Sequence, residues 1–300
     1  MSSAFVFMVI FCLESLVSVL QNGFMVVTLG REWVRCRALP TGEMIVACLA
    51  ASRLCLHMVG TLNNFLATFG FSHACLFFSI FWDFFNFLTF WLTAGLALLY
   101  CVKISSFSHP VFFWLKWRIS RLGPRLLLAS LIMCVLSGVS SISRTIITIQ
   151  MTASQSSHGN STLAYSPYTF FSKYFLFHGA FLLSIPFLLF LMSTLLLMFS
   201  LCRHLGQMRG HRPGPRDPST QAHTVALKSL ACFLIFHMLY YSLLITSSVK
   251  VSTFCHQLPW AWEVIVYAGL FLHSTILILS SPKLRKALKT RFWGISSASS

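Results

Sequence analysis

Seven apolar runs, each long enough to cross a bilayer, leave this chain very few ways to fold. A spanning helix needs roughly 20 apolar residues, and such runs fall at 5–29, 44–66, 74–102, 126–147, 174–202, 225–249 and 259–281. In hydrocarbon each backbone N–H and C=O must find its partner internally, and runs of this length do so as α-helices. The pattern predicts an all-α membrane protein: a single seven-transmembrane helix bundle over 1–300, with a tail at 282–300. Charged residues make up only 9% of the chain and hydrophobic residues 56%, whereas soluble domains carry about 25% charged residues. That balance excludes an ordinary soluble enzyme, a secreted disulfide scaffold and a disordered chain.

The net charge of +16 would suggest nucleic acid in a soluble protein. Here the basic residues sit between the apolar runs, so topology and attraction to anionic lipid explain them more simply. Of 22 Lys and Arg, 18 fall in the first, third and fifth connections and the tail. The other side holds Arg144, Lys173 and Lys250, and Arg53 lies within the second run. This asymmetry predicts an N-terminus outside and a C-terminus in the cytoplasm, in a multi-pass protein of the plasma membrane. No basic region precedes the first run, which is long enough to remain as a helix, so no cleavable signal is expected. The stretch from Lys283 to Trp293 has apolar and basic faces and reads as a short amphipathic C-terminal helix lying on the membrane.

Asn160-Ser161-Thr162 is a glycosylation acceptor, and it falls in the longest outward connection, about Thr148 to Lys173. Cys75 and Cys255 both belong near the oxidising outer face. A bridge between them and two separate thiols are the open alternatives, because sequence does not give their separation.

Ionisable groups within apolar runs are costly and usually face the bundle interior. Glu14, Arg53, His57, Asp83, His237, Glu263 and His273 meet that description. For Glu14, Asn22 and Arg53 the plainer reading is a structural polar network between helices, with Asn22 and Arg53 in the cytoplasmic half. Toward the outer side, Trp82 and Asn86 are four residues apart and share a helix face, which Phe90 extends inward. Asp83 lies about a hundred degrees round from Trp82, and Glu263 sits near the outer end of the seventh run. An aromatic ring, an amide and a carboxylate at similar depth suit an amphipathic organic ligand: ring for area and cation–π attraction, amide for orientation, carboxylate for an amine. The competing reading makes Trp82 an interfacial belt residue and Glu263 a solvated helix end.

Enzyme chemistry finds no support. HExxH, CxxC and Gly-rich phosphate loops are missing, and no metal or cofactor is expected. A transporter would show interrupted helices at matched positions of two halves. The odd helix count weakens that alternative, as it does a channel of similar helix count.

Seven helices with an outside N-terminus resemble a G-protein-coupled receptor, but no DRY follows the third helix and no NPxxY closes the seventh. The stretch from His273 to Leu284, HSTILILSSPKL, resembles instead the bitter, or type 2, taste receptors. Gln21-Asn22-Gly23-Phe24 after Glu14, and Leu49-Ala50-Ala51-Ser52-Arg53, are similar to that family's first and second helices. KISSFSHP from Lys103, followed by WLKWRI from Trp114, resembles its second inward connection. Ser200-Leu201-Cys202-Arg203-His204 with Gln207-Met208, and Asp217-Pro218-Ser219-Thr220 with Ala222-His223, resemble the end of its fifth helix and the start of its sixth. The likeness runs in order along nearly the whole chain. The chain departs from it at Ser281, where the family often has Asn, and at His237, where it often has Tyr.

The resemblance implies a receptor for small bitter compounds arriving from outside, with Trp82, Asn86 and Glu263 at family ligand positions and Asp83 beside them. It implies coupling to a heterotrimeric G protein of the gustducin type, then phospholipase activation and calcium release, in taste cells or elsewhere. A shift of the fifth and sixth helices would open the inner side around Tyr100, Arg203, His204 and His223. His237, with Tyr240 as the competing choice, is the expected switch, next to His273 and Ser274 of the closing motif.

Overall fold

The computed structural model describes residues 3–104, 114, 116–157, 162–211, 218–248 and 259–293. The described residues form eight helices: α1 Ser3–Cys36, α2 Thr41–Thr68, α3 Ser72–Ile104, α4 Ile119–Ser157, α5 Thr162–His211, α6 Pro218–Ser248, α7 Pro259–Ser280 and α8 Pro282–Trp293. The first seven are long and apolar enough to cross a membrane.

Several helices run past the apolar stretches that announce them. Most of the outward connection expected over 148–173 is helical, because α4 continues to Ser157 and α5 already begins at Thr162. Hydropathy reports the length that suits hydrocarbon; the i→i−4 ladder continues into polar sequence until something competes for the backbone. Asn160 lies outside the described residues.

The turn between α2 and α3 is sharp. Gly70 sits at φ 81°, in the left-handed region that favours glycine. This lets the Phe71 N–H reach back to the Leu66 carbonyl at 3.0 Å and close α2.

Each helix contacts the next in chain order, and α7 closes the ring on α1. α3 is the axis, touching α2, α4 and α5 along its length and reaching α6 and α7 through side chains. Of its most apolar stretch 61% is buried, against 17% for α1. The outward face of α1 (Leu13, Leu16, Leu20) is exposed in the bundle and belongs against lipid.

Beside a smaller cluster of Ala94, Phe190 and Phe233, the core has two main storeys. One is aromatic, with Phe11, Leu56, Phe87, Phe90, Tyr240 and Tyr267. The other is aliphatic, with Met25, Leu49, Leu96, Leu99, Ile278 and Leu284. On α1, α2, α3 and α7 a polar residue separates them: Asn22, Arg53, Thr93 and Ser274, all 1% exposed or less.

At the far end of α7 the chain turns into α8 after Ser281. Leu284 is buried in the aliphatic storey while Arg285, Lys286 and Lys289 are exposed, so α8 is amphipathic. Lys283 Nζ donates to Glu32 Oε1 of α1 at 2.5 Å and to Glu43 Oε2 of α2 at 2.8 Å. Burial pulls the Lys283 ammonium down, but the two carboxylates outweigh it and hold the group above the usual lysine value. A raised value means that this stabilisation is complete below the ordinary lysine pKa and is lost only as pH climbs through the raised one. All three side chains are about one-third exposed, so the junction is screened and worth about 1 kcal/mol. Lys283→Met is therefore expected to lower the thermal midpoint of the detergent-solubilised protein by a few degrees at low salt. The difference should close near 1 M salt; a gap independent of salt would show that the ion pairs do not hold α8.

Candidate ligand-binding site

Three neighbouring positions of α3 fan out to three different helices. The Trp82 indole donates Nε1–H to the Tyr267 hydroxyl of α7 at 2.7 Å. Asp83, the next residue round, accepts from Arg144 Nη2 of α4 at 2.5 Å. Asn86, one turn further, accepts through Oδ1 from the Tyr240 hydroxyl of α6 at 2.5 Å. The fan follows from the helical step of about 100° per residue on a helix surrounded by neighbours.

Two cavities open on this fan, with Trp82 in the wall of both. The larger, about 330 Å³, lies among α3, α4 and α5 and is lined by Trp82, Asp83, Asn86 and Phe87 on α3. Ser137, Ser140, Ser141 and Arg144 on α4 face it. Their spacing of three, four and seven residues makes one polar stripe along an otherwise apolar helix. Ser140 Oγ lies 2.9 Å from His178 Nδ1, tying α4 to α5. The smaller cavity, about 200 Å³, is lined by Trp82, Gly60, Asn63, Asn64, Glu263 and Tyr267. Gly60 makes it possible: a methyl group there would overlap the Tyr267 hydroxyl, and the ring would lose its reach to Trp82.

The four expected ligand residues are thus divided. Trp82, Asp83 and Asn86 share the larger cavity, Trp82 and Glu263 the smaller. Trp82 is only partly buried, as a wall that a ligand can touch must be. Asp83 is committed to Arg144, and Asn86 to Tyr240. Arg144, Tyr267 and the serine stripe were not among the expected site residues. The stripe had a sequence signal, an SxxSSxxR spacing within an apolar run.

Below the cavities lies the polar layer. Arg53, 1% exposed, donates Nη1–H to Ser274 Oγ at 3.2 Å and Nη2–H to Thr93 Oγ1 at 3.3 Å. Its Nη2 is also 2.5 Å from His273 Nδ1. A guanidinium only donates, so Nδ1 is the acceptor and the His273 proton sits on Nε2. Ser274 Oγ donates onward to Asn22 Oδ1 at 3.2 Å. Three helices meet at this one cation and Ser274 links a fourth, α1, to it; among the described residues no carboxylate stands within ion-pair distance of Arg53. The expected network therefore forms around Asn22 and Arg53, but Glu14 stands apart from it. Among the described residues, both Glu14 oxygens are buried without a hydrogen-bond partner, as are both ring nitrogens of His57. Glu14 is on the aromatic storey's side of Asn22, two helical turns before it, which puts it out of reach of Arg53.

His237 occupies a phenylalanine cage, 4.9 Å from Phe90, 4.2 Å from Phe190 and 5.6 Å from Phe233 between ring centroids. Phe233 in turn stacks on His273 at 3.5 Å. Tyr240, the competing switch, stacks on Phe90 at 5.3 Å while bonded to Asn86. His237 is thus linked to the polar layer through Phe233, and Tyr240 to the larger cavity through Asn86. Tyr100, half-buried, lies 18 residues beyond Trp82 on α3, about 27 Å along the axis. Arg203 and His204 are exposed near the end of α5. The side chain of His223 lies outside the described residues.

Cys75 is a free thiol, 3.6 Å from the Asn63 carbonyl; Cys255, the other member of the pair left open by the sequence, lies outside the described residues. Among the described residues no cluster of His, Cys, Asp and Glu is arranged to hold a metal.

Comparison with known proteins places these features. The fold is similar to squid rhodopsin, with a TM-score of 0.59 at 14% identity, covering 99% of this chain and 87% of that one. The sequence is 58% identical over 287 residues to taste receptor type 2 member 143 of Rattus norvegicus, covering 96% of this chain and 98% of the relative. It is 59% identical over 285 residues to member 62 of Pan paniscus, covering 95% and 91%. Member 16 of Homo sapiens is 41% identical over 283 residues, covering 94% and 96%. The family described as taste receptor protein (TAS2R) matches residues 1–296. With cavities and a seven-helix bundle of the rhodopsin kind, the chain belongs to the type 2, or bitter, taste receptor family of G-protein-coupled receptors.

Proposed function

We propose that the protein binds small bitter compounds from outside the cell at the paired cavities and activates a gustducin-type heterotrimeric G protein, leading to phospholipase activation and calcium release. The observation that carries this reading is that Trp82 stands in the wall of two neighbouring cavities, one lined by the Asp83–Arg144 ion pair and the other by Glu263. Both cavities are small: the larger stands at the lower end of the ~300–1,000 Å³ usual for organic ligands. The orientation rests on the basic connections, which put the N-terminus outside, the cavities toward the outer face and the protein in the plasma membrane.

A ligand shifts nothing unless it binds one bundle arrangement better than another. Ligand groups that compete for Asn86 would loosen its bond to Tyr240 and so free α6 from α3 at this depth. Motion of α6 changes the Phe233–His273 stack, which lies against Arg53. From there the path leads to the inner ends of α3, α5 and α6, where Tyr100, Arg203, His204 and His223 would meet the G protein. Basic residues on that side also hold the chain to anionic lipid headgroups.

The test is calcium mobilisation in cells co-expressing a gustducin-type G protein, challenged with a panel of bitter compounds. At least one compound should elicit a response that is lost without the G protein. Glu263→Gln should weaken basic amphiphiles about tenfold, from the loss of one charge-assisted contact, and neutral agonists much less. A panel giving no G-protein-dependent response at normal surface expression would refute the reading.

A further inference from the structure

The larger cavity has an ion pair built into its wall. Arg144 and Asp83 are joined through a single contact, and their side chains keep 31% and 15% exposure. Both face the same space as Trp82 and Phe87. Asp83 is the one side-chain acceptor that Arg144 meets among the described residues, so Nη1 and Nε keep unused donors. Asp83 also has the Ser141 hydroxyl beside it as a donor, and with about four lone-pair sites a carboxylate keeps acceptor capacity beyond these two partners. The pair therefore keeps donor capacity on Arg144 and acceptor capacity on Asp83, and both residues line the cavity a ligand would enter.

Such a wall selects by charge pattern rather than by net charge. A lone cation drawn to Asp83 is repelled by Arg144 at almost the same distance, and a lone anion meets the reverse. The two contributions nearly cancel. A ligand carrying both an ammonium and a carboxylate a few ångströms apart turns both into attractions. It also satisfies the ion pair as it opens it, replacing one charge-assisted bond by two.

We propose that the larger cavity is a site for zwitterionic aromatic α-amino acids, with the carboxylate on Arg144, the ammonium on Asp83 and the aromatic side chain against Trp82 and Phe87. The site is distinct from the smaller cavity, where Glu263 is the one carboxylate and has no cation beside it among the described lining residues. A volume of about 330 Å³ takes one amino acid and leaves no room for a longer peptide. The proposal rests on the larger cavity being a ligand site.

Three ligands of one shape and different charge test it: L-tryptophan, the cationic L-tryptophanamide and the anionic N-acetyl-L-tryptophan. Their affinities are measured on the full-length receptor in lipid nanodiscs. The wild type should prefer L-tryptophan by about tenfold over either analogue, the size of one charge-assisted contact. Arg144→Gln should move the preference to the amide, and Asp83→Asn to the N-acetyl compound. The swapped receptor, Asp83→Arg with Arg144→Asp, keeps the pair as a folding control and should prefer the zwitterion again. Equal binding of the three ligands to the wild type, or one rank order throughout all four receptors, would overturn the proposal. The binding assay needs no signalling. A flat rank order beside a working calcium response defeats this inference alone, and the expected crossing beside a silent calcium assay defeats only the G-protein reading.

Discussion

Arg53→Ala is expected to remove most of the receptor from the cell surface and to lower its stability by roughly 5–6 kcal/mol. Two effects oppose each other here. The guanidinium is buried among helices with no carboxylate within ion-pair distance among the described residues, and holding a charge there is costly. Replacing such a group with a hydrophobic residue of equal size can be neutral or better. Alanine is not of equal size. It leaves His273 Nδ1, Ser274 Oγ and Thr93 Oγ1 without their donor at the meeting point of three helices, and it leaves a void that a large side chain had filled. Interhelical hydrogen bonds in membranes average ~0.6 kcal/mol, those to an ion about twice that, and the void adds about 2 kcal/mol. The sum is a large share of the ~5–15 kcal/mol that holds a domain folded. Arg53→Lys should recover little, since one ammonium cannot fork to α3 and to two residues of α7 at once. Thermal unfolding in detergent with surface labelling reads both effects, and an alanine variant with wild-type midpoint and surface level would remove Arg53 from its structural role.

Arg53 also marks how far the sequence carries the fold. Its presence inside an apolar run signals an interior position, because the alternative is a charge against lipid. Its partners carry no such signal: Thr93 and Ser274 are ordinary residues of spanning helices, and only helix rotation brings them to it. The same division recurs at the site. Trp82 and Asn86 stand out as polar handles on one apolar helix. That Trp82 finds Tyr267 depends on Gly60, a residue of another helix with nothing about it that names a partner. Arg144 was visible as a rare outward cation, and the serine stripe beside it has helical spacing. Counted as topology, the residue gave orientation; seen on its helix face, it would have pointed to Asp83. The spans themselves were the easiest part, since hydropathy is local. Helix ends were the hardest, because α4 and α5 run on into polar sequence where hydrogen bonding, not lipid, decides.

Trp82→Ala should separate agonists by size. The substitution removes the indole that stands between a cavity of about 330 Å³ and one of about 200 Å³. It also strands the hydroxyl of Tyr267, a residue 1% exposed, which accepts from the indole at 2.7 Å. A compound that fits one cavity loses its aromatic wall, and truncating a central tryptophan costs about 2 kcal/mol or more, roughly a 30-fold rise in half-maximal concentration. A compound too long for either cavity gains a continuous one, so its loss should be small or reversed. Trp82→Phe keeps the wall and gives up only the hydrogen bond, which predicts a loss of about fivefold. Tyr267→Phe gives up the same bond from the other side. The double variant Trp82→Phe with Tyr267→Phe should then be little worse than either single one, because the two share one interaction. Dose–response curves for a small and an extended agonist, at matched surface expression, decide the matter. Equal losses for both sizes would mean that Trp82 shapes the bundle without dividing the space a ligand enters.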